Sequence, residues 1–143
     1  SALRGREFIE RAAREGDLDA RVWIASRQAR ERNAWTDLEG LARSSWQGAL
    51  GLALQRAGAD AFAAAWAALD AARALDSPEG ELERVHQEVQ GLAHRVAIEA
   101  GCAFCFEPLS NATNATNSAD VQLHPEPLAF CNGAHREAYA AGS

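Results

Sequence analysis

The chain has 143 residues, 48% of them apolar, and a formal net charge of −6. This size fits one domain or one domain with a small appendage, and the negative charge argues against indiscriminate binding to nucleic acid or anionic membranes. Because the sequence has no run of about 18 apolar residues, no recognisable signal peptide and only three cysteines, we expect no transmembrane helix, no disulfide framework and a cytoplasmic location.

The basic residues are all arginines, which is typical of a GC-rich bacterial genome, and they are concentrated towards the N-terminus. Residues 1–35 hold eight arginines and six acidic residues, whereas residues 36–100 hold five arginines and ten acidic residues. Pairs such as Glu10 and Arg14 favour solvated helix faces. The alternative is a basic face that contacts phosphate, for which the candidate nucleic-acid-binding residues are Arg4, Arg11, Arg14 and Arg21.

Two helices are predicted at the start of the chain. The first covers residues 3–15 and ends at Gly16. Asp17 is a candidate N-cap for the second, which covers residues 18–33. Its predicted buried face comprises Leu18, Val22, Ala25 and Ala29.

Three more helices are predicted before residue 101. Thr36 and Glu39 have capping-box spacing, which predicts a helix that continues to Gly58. Asp60 is a candidate cap for the next helix, and Ser77-Pro78 begins the last, which ends near Ala100. We therefore predict a mainly α protein in which residues 1–100 form a four- to five-helix bundle. The tryptophans predicted to anchor its core are Trp23, Trp35, Trp46 and Trp66.

The pattern changes at Gly101, where helical periodicity ends. We predict a second unit in residues 101–143, with a polar loop at Ser110–Ser118 and a final helix at about 132–141. A tail of this size is too small to fold around an apolar core of its own, so it needs another source of stability.

Three cysteines and one histidine in this tail have the spacing of a metal site. Cys102 and Cys105 are separated by two residues, which lets both thiolates of a tight turn bind one ion. Cys131 and His135 are four residues apart at the predicted start of a helix, where they would share a face. Four such donors fill the tetrahedral shell of Zn²⁺, so the predicted cofactor is one structural zinc ion. The alternative is three buried free cysteines.

The segment from Cys102 to Tyr139 resembles the treble-clef zinc fingers of the TRASH, YHS and MYM kind. Those fingers join a CxxC knuckle through a hairpin to a helix start that carries an aromatic residue and two more ligands, as Phe130, Cys131 and His135 do here. The resemblance implies a C-terminal treble-clef-like module with these four zinc ligands and no particular function. Phe106 departs from the pattern, because zinc knuckles usually have glycine at that position.

A second resemblance concerns the cofactor. The segment from Phe130 to His135 is similar to the CDGSH iron–sulfur motif, in which three cysteines and a histidine hold a [2Fe–2S] cluster. Asn132 replaces the usual aspartate, and the spacing of the first cysteine pair differs from C-x-C. An iron–sulfur cluster is therefore the alternative cofactor. A redox dithiol is disfavoured, because such a pair normally opens a helix after a strand.

The other histidines have no complete metal pattern. His86 and His94 lie on the helix that begins at Ser77, and Glu83 with His86 forms only half of a di-metal carboxylate site. We predict ordinary helix-surface roles for both histidines. His124 is the reserve fourth ligand if His135 points away.

No catalytic triad order, phosphate-binding glycine loop or metallohydrolase helix occurs, so an enzyme is the less favoured class. The leading hypothesis is a non-catalytic zinc-binding protein, in which a helical interaction domain precedes a structural zinc finger and binds another protein or a second copy. One alternative is a nucleic-acid-associated regulatory, plasmid or phage protein that uses the arginines of residues 1–32. Another is a metal or redox sensor built on the cysteine and histidine cluster.

Overall fold

The computed structural model describes residues 2–109 and 119–142, with only the backbone of residues 2–4. Within these ranges the chain is mainly helical, as predicted, and a small pair of strands follows the sixth helix. The predicted loop at Ser110–Ser118 lies outside the described residues. The elements are α1 (Ala2–Arg14), α2 (Leu18–Arg32), α3 (Thr36–Ser44), α4 (Trp46–Gly58), α5 (Phe62–Ala74), α6 (Glu79–Ala100), β1 (Asp120–Gln122), β2 (Leu128–Phe130) and α7 (Gly133–Ala141).

Several helix ends follow the capping residues in the sequence. Asp17 caps α2 as predicted, and its carboxylate accepts a hydrogen bond of 3.0 Å from the backbone N–H of Ala20. The capping box at Thr36 is wrong by one position, because Trp35 is the N-cap and makes no side-chain capping bond. Pro78 likewise precedes α6 instead of opening it.

The predicted single helix from Thr36 to Gly58 is wrong, since the chain turns at Ser45 and forms two helices. Ser45 has an extended backbone, and its Oγ accepts a hydrogen bond of 3.1 Å from the backbone N–H of Gly48. The same Oγ donates to the carbonyl of Leu41 at 2.7 Å. Gly48 allows this corner, because a Cβ there would overlap the backbone of Leu41. One serine side chain therefore closes α3 and caps α4.

The main core lies between α4, α5 and α6, where many facing residues are alanines that allow close helix approach. Trp66 is buried in this core, and Trp35 and Trp46 are half-buried against core clusters. The prediction for Trp23 is wrong: it is 43% exposed, because Ala25 and Ala29 form the buried face of α2. None of the helices in the described ranges combines the length and apolar character needed to cross a membrane.

The two strands pack against the last half of α6. They pair antiparallel, with Val121 opposite Ala129, and Ala129 joins Ala97 of α6 and Leu109 in a small apolar cluster. A further link joins Trp66 to the connection between the strands, where its indole N–H donates to the carbonyl of Leu123 at 3.1 Å. These contacts hold the end of β2 beside the end of α6. The division into units 1–100 and 101–143 stays a prediction.

Candidate metal centre

Four side chains from two separate segments converge beside the end of α6. The potential ligand atoms of Cys102, Cys105, Cys131 and His135 all lie within 4.8 Å of one another, so this group could bind a metal ion, as predicted. The Sγ atoms of Cys105 and Cys131 are 3.5 Å apart, and Cys102 Sγ is 3.6 Å from His135 Nδ1. It is the one such group in the part of the chain that the structure describes.

The first cysteine pair lies in a tight turn directly after α6. Gly101 ends the helix with φ of +83°, and a Cβ there would lie 2.9 Å from the carbonyl oxygen of Glu107. That carbonyl accepts a hydrogen bond of 2.9 Å from the N–H of Cys102, and Phe106 N–H donates to the Cys102 carbonyl at 2.9 Å. The backbone of the turn thus places Cys102 and Cys105 on the same side.

Phe106 closes this turn with an unusual backbone conformation. Its φ is +65°, in the left-handed region that is rare for bulky residues and easy for glycine. Its side chain is 81% exposed, so no packing in the described part of the chain compensates for the strain. The structure therefore has, at residue 106, a backbone conformation that favours glycine, with phenylalanine in its place.

The second ligand pair lies at the junction of β2 and α7. Asn132 is the N-cap of α7, and its Oδ1 accepts a hydrogen bond of 2.9 Å from the backbone N–H of His135. Cys131 therefore lies before the helix, and the prediction that the pair shares one helix face is wrong. The two side chains still converge, because the N–H of Cys131 donates to Cys102 Sγ at 3.4 Å and holds the end of β2 against the turn.

Two contacts that the sequence patterns did not predict stabilise the site. The Arg136 guanidinium donates to the Asp120 carboxylate at 2.7 Å, which joins α7 to β1. The N–H of Ala103 donates to the carbonyl of Ala129 at 2.8 Å, which joins the turn to β2. Neither pairing could be found before the register of β1 and β2 was known.

The pKa values of two of the thiols, Cys102 and Cys131, are shifted in opposite directions. Burial raises the pKa of Cys102, but hydrogen bonds from the backbone N–H groups of Cys105 and Cys131 outweigh it and lower this pKa from 9.0 to about 6. The hydrogen bond between Cys131 and the Cys105 sulfur, with desolvation and the charge of Cys102, raises the pKa of Cys131 to about 12. When no cation is bound, a thiolate at Cys102 therefore disfavours the deprotonation of the neighbouring Cys131.

A single tetrahedral ion fits the observed spacing. Zinc bonds of about 2.3 Å to sulfur and 2.0 to 2.1 Å to nitrogen place tetrahedral ligands about 3.8 Å apart for two sulfurs and about 3.6 Å apart for sulfur and nitrogen. The two short separations of 3.5 Å and 3.6 Å agree with these edges within a few tenths of an ångström, and all four ligand atoms lie within 4.8 Å of one another. A [2Fe–2S] cluster as the alternative occupant stays a prediction.

The other histidines lie outside this cluster. The rings of His86 and His124 both contact Trp66, with centroid distances of 5.5 Å and 5.6 Å. His124 is therefore engaged elsewhere and is not the fourth member of the group, whereas His135 is. His94 is exposed on α6, and Glu83 accepts a hydrogen bond of 3.0 Å from Gln87 instead of approaching His86.

The predicted nucleic-acid-binding arginines lie on α1 and α2, and none of them belongs to the cluster. Arg11, Arg14 and Arg21 are exposed, and the side chain of Arg4 lies outside the described residues. Arg21 also borders a surface depression of about 610 Å³ between α2 and α3. Nothing in the structure tests a contact with phosphate, so this role stays a prediction.

Comparisons with known proteins do not assign the chain to a family. No family model, no curated protein and no solved structure matches it.

Proposed function

We propose that the chain binds one structural zinc ion through Cys102, Cys105, Cys131 and His135, and that it is a non-catalytic interaction protein. The observation that carries this proposal is the convergence of the four ligand atoms within 4.8 Å. Three thiolates and one imidazole are a common donor set for structural zinc, and they leave no position open for a substrate or a reactive water.

The contacts around the site explain what the ion would do. The turn at Cys102 follows α6, whereas Cys131 follows β2 and His135 belongs to α7. An ion bound by all of them would cross-link three segments that are otherwise joined by a few hydrogen bonds, by a ring contact between Phe130 and Tyr139 and by a small apolar cluster around Ala97. Metal binding would then supply folding free energy to residues 101–142, in the manner of a treble-clef-like finger.

The composition of the helices supports an interaction role for them. The core of α4, α5 and α6 is formed largely by alanines, and its charged residues lie at the surface in pairs such as Arg84 with Glu81 and Glu88. Such a scaffold can display side chains to another protein or to a second copy of the chain. A nucleic-acid partner for α1 and α2 is the second proposal, supported by the exposed Arg11, Arg14 and Arg21.

Removal and return of the metal tests the structural role. The purified chain is unfolded, stripped with a chelator and refolded with and without one equivalent of zinc. We expect limited proteolysis to cut residues 101–142 rapidly in the metal-free sample and slowly in the zinc-loaded sample, with helicity of residues 2–100 retained in both.

Two results would contradict this proposal. The first is a tail that resists protease equally in both samples, because the ion would then contribute nothing to its fold. The second is rapid loss of zinc from the native protein to a mild chelator without any change in proteolysis, which would indicate a sensor instead of a structural site. A Cys105→Ser variant, which removes one ligand at a half-buried position, should behave like the metal-free sample in both conditions.

A further inference from the structure

Two phenylalanines are by far the most exposed large apolar residues in the described ranges. Phe8 on α1 is 72% exposed and Phe106 in the cysteine turn is 81% exposed, whereas the next values are between 40% and 44%. A single exposed apolar residue is ordinary, but these two rings are exposed well beyond any other large apolar residue in the described ranges. The structure therefore raises the question of what covers each ring.

The conformation of Phe106 strengthens this question. A left-handed backbone is unfavourable for a bulky residue, and glycine at the same place would relieve the strain and remove the exposed ring together. Phe104, two residues earlier, is 44% exposed with its ring 5.1 Å from that of His135, so the apolar surface extends across the cysteine turn. At Phe106 a strained backbone and an exposed aromatic ring therefore coincide.

The two phenylalanines lie in surroundings of opposite charge. Arg11 is one helical turn after Phe8 and shares its side of α1, which carries four arginines and two glutamates in all. Phe106 is followed by the exposed Glu107, and a zinc ion with three thiolates and a neutral imidazole adds a net charge of about −1 beside it. A cationic helix with an aromatic anchor thus complements an anionic turn with an aromatic anchor.

We propose that α1 of one copy docks on the cysteine turn of a second copy, with Phe8 against Phe106 and Arg11 near Glu107. Both rings are exposed in the monomer, so the two surfaces do not cover each other within one chain. Because the surfaces differ, the contact is head-to-tail, and it extends to a ring or a longer chain of copies. This inference rests on the proposed zinc centre, because the ion would hold the turn that presents Phe106.

Sedimentation velocity of the zinc-loaded chain over a concentration series tests the contact. We expect wild type to form species larger than a monomer, and the average mass to fall as salt is raised, because ionic attraction is screened. Phe106→Gly should weaken association by at least about 30-fold, the effect of losing an anchor residue, while its folding is unaffected or improved. Arg11→Glu should also weaken it, whereas Arg73→Glu on α5, a charge reversal at another exposed position, should not.

Mixing two variants gives the decisive result. Phe8→Ser and Phe106→Gly should each be monomeric alone, because each lacks one of the two surfaces. Their equimolar mixture should form a 1:1 dimer and nothing larger, because only one intact pair of surfaces remains. A mixture that stays monomeric while wild type associates, or a wild type that stays monomeric at all concentrations, would overturn the inference. Zinc content measured in the same samples keeps this failure distinct from a failure of the metal site.

Discussion

Replacing one histidine at a time identifies the fourth ligand of the proposed zinc site. Cys102 Sγ is 3.6 Å from His135 Nδ1, whereas the ring of His124 lies against Trp66. We expect His135→Ala to lose zinc and His124→Ala to retain it. His135→Cys should recover most of the affinity, because four thiolates also form a structural zinc site.

The structure allows the loss of zinc binding in His135→Ala to be separated from the loss of an ordinary packing contact. Without metal, His135→Ala removes a ring contact with Phe104 at 5.1 Å and His124→Ala removes one with Trp66 at 5.6 Å. Each contact contributes about 0.5 to 1.5 kcal/mol, so the metal-free variants should have similar stabilities. Loss of a ligand should lower zinc affinity by more than the roughly 10- to 100-fold that results from losing an outer-shell partner. A 100-fold loss of affinity equals about 2.8 kcal/mol of binding free energy.

Competition with a chromogenic chelator measures zinc affinity, and thermal unfolding with and without zinc measures its effect on stability. We expect zinc to raise the unfolding temperature of wild type and of His124→Ala by the same amount, and that of His135→Ala by much less. Wild-type zinc affinity in His135→Ala, together with loss in His124→Ala, would refute the geometry on which the proposal depends.

Three further predictions concern the helices, the tail and the thiols. Ser45→Ala should lower the free energy of unfolding by about 1 kcal/mol, because it removes the cap of α4, and denaturant titration measures this loss. Trp66→Phe should cost about 1 kcal/mol or more through the lost hydrogen bond to Leu123, and faster amide exchange in β1 and β2 would report it. In the metal-free chain, the combined contribution of Cys102 and Cys131 to stability should be largest near pH 9. Cys102, with its pKa lowered to about 6, should add to the free energy of unfolding as pH rises from 6 to 9. Cys131, with its pKa raised to about 12, should lower the free energy of unfolding as pH rises from 9 to 12. Ultraviolet thiolate absorbance and unfolding curves over this pH range check both effects.

The sequence was sufficient to predict the elements that depend on local signals. Asp17 marked the start of α2 because its short carboxylate caps a helix, and the spacing of the cysteines and His135 predicted their convergence. Asn132 is also a favoured capping residue, so it could have shown that Cys131 lies before α7. These features need only residues that are near in sequence or of strongly matched chemistry.

Other features depend on contacts that no local pattern contains. Ser45 breaks the predicted long helix only because Gly48 lets α4 approach the backbone of Leu41. The placement of His124 depends on Trp66, which contacts its ring and hydrogen-bonds the carbonyl of Leu123, 57 residues later in the chain, and on the sheet that brings the two segments together. The left-handed conformation of Phe106 runs against the preference of its residue type, so that residue type alone does not predict it; a hydrogen bond of 2.9 Å from its N–H to the carbonyl of Cys102 closes the turn there.

X-ray absorption at the metal edge, combined with metal analysis of the purified chain, tests the central proposal most directly. The account predicts one zinc per chain, with three sulfur neighbours at about 2.3 Å and one nitrogen at about 2.0 Å. Iron with inorganic sulfide, or zinc bound only by nitrogen and oxygen, would contradict it.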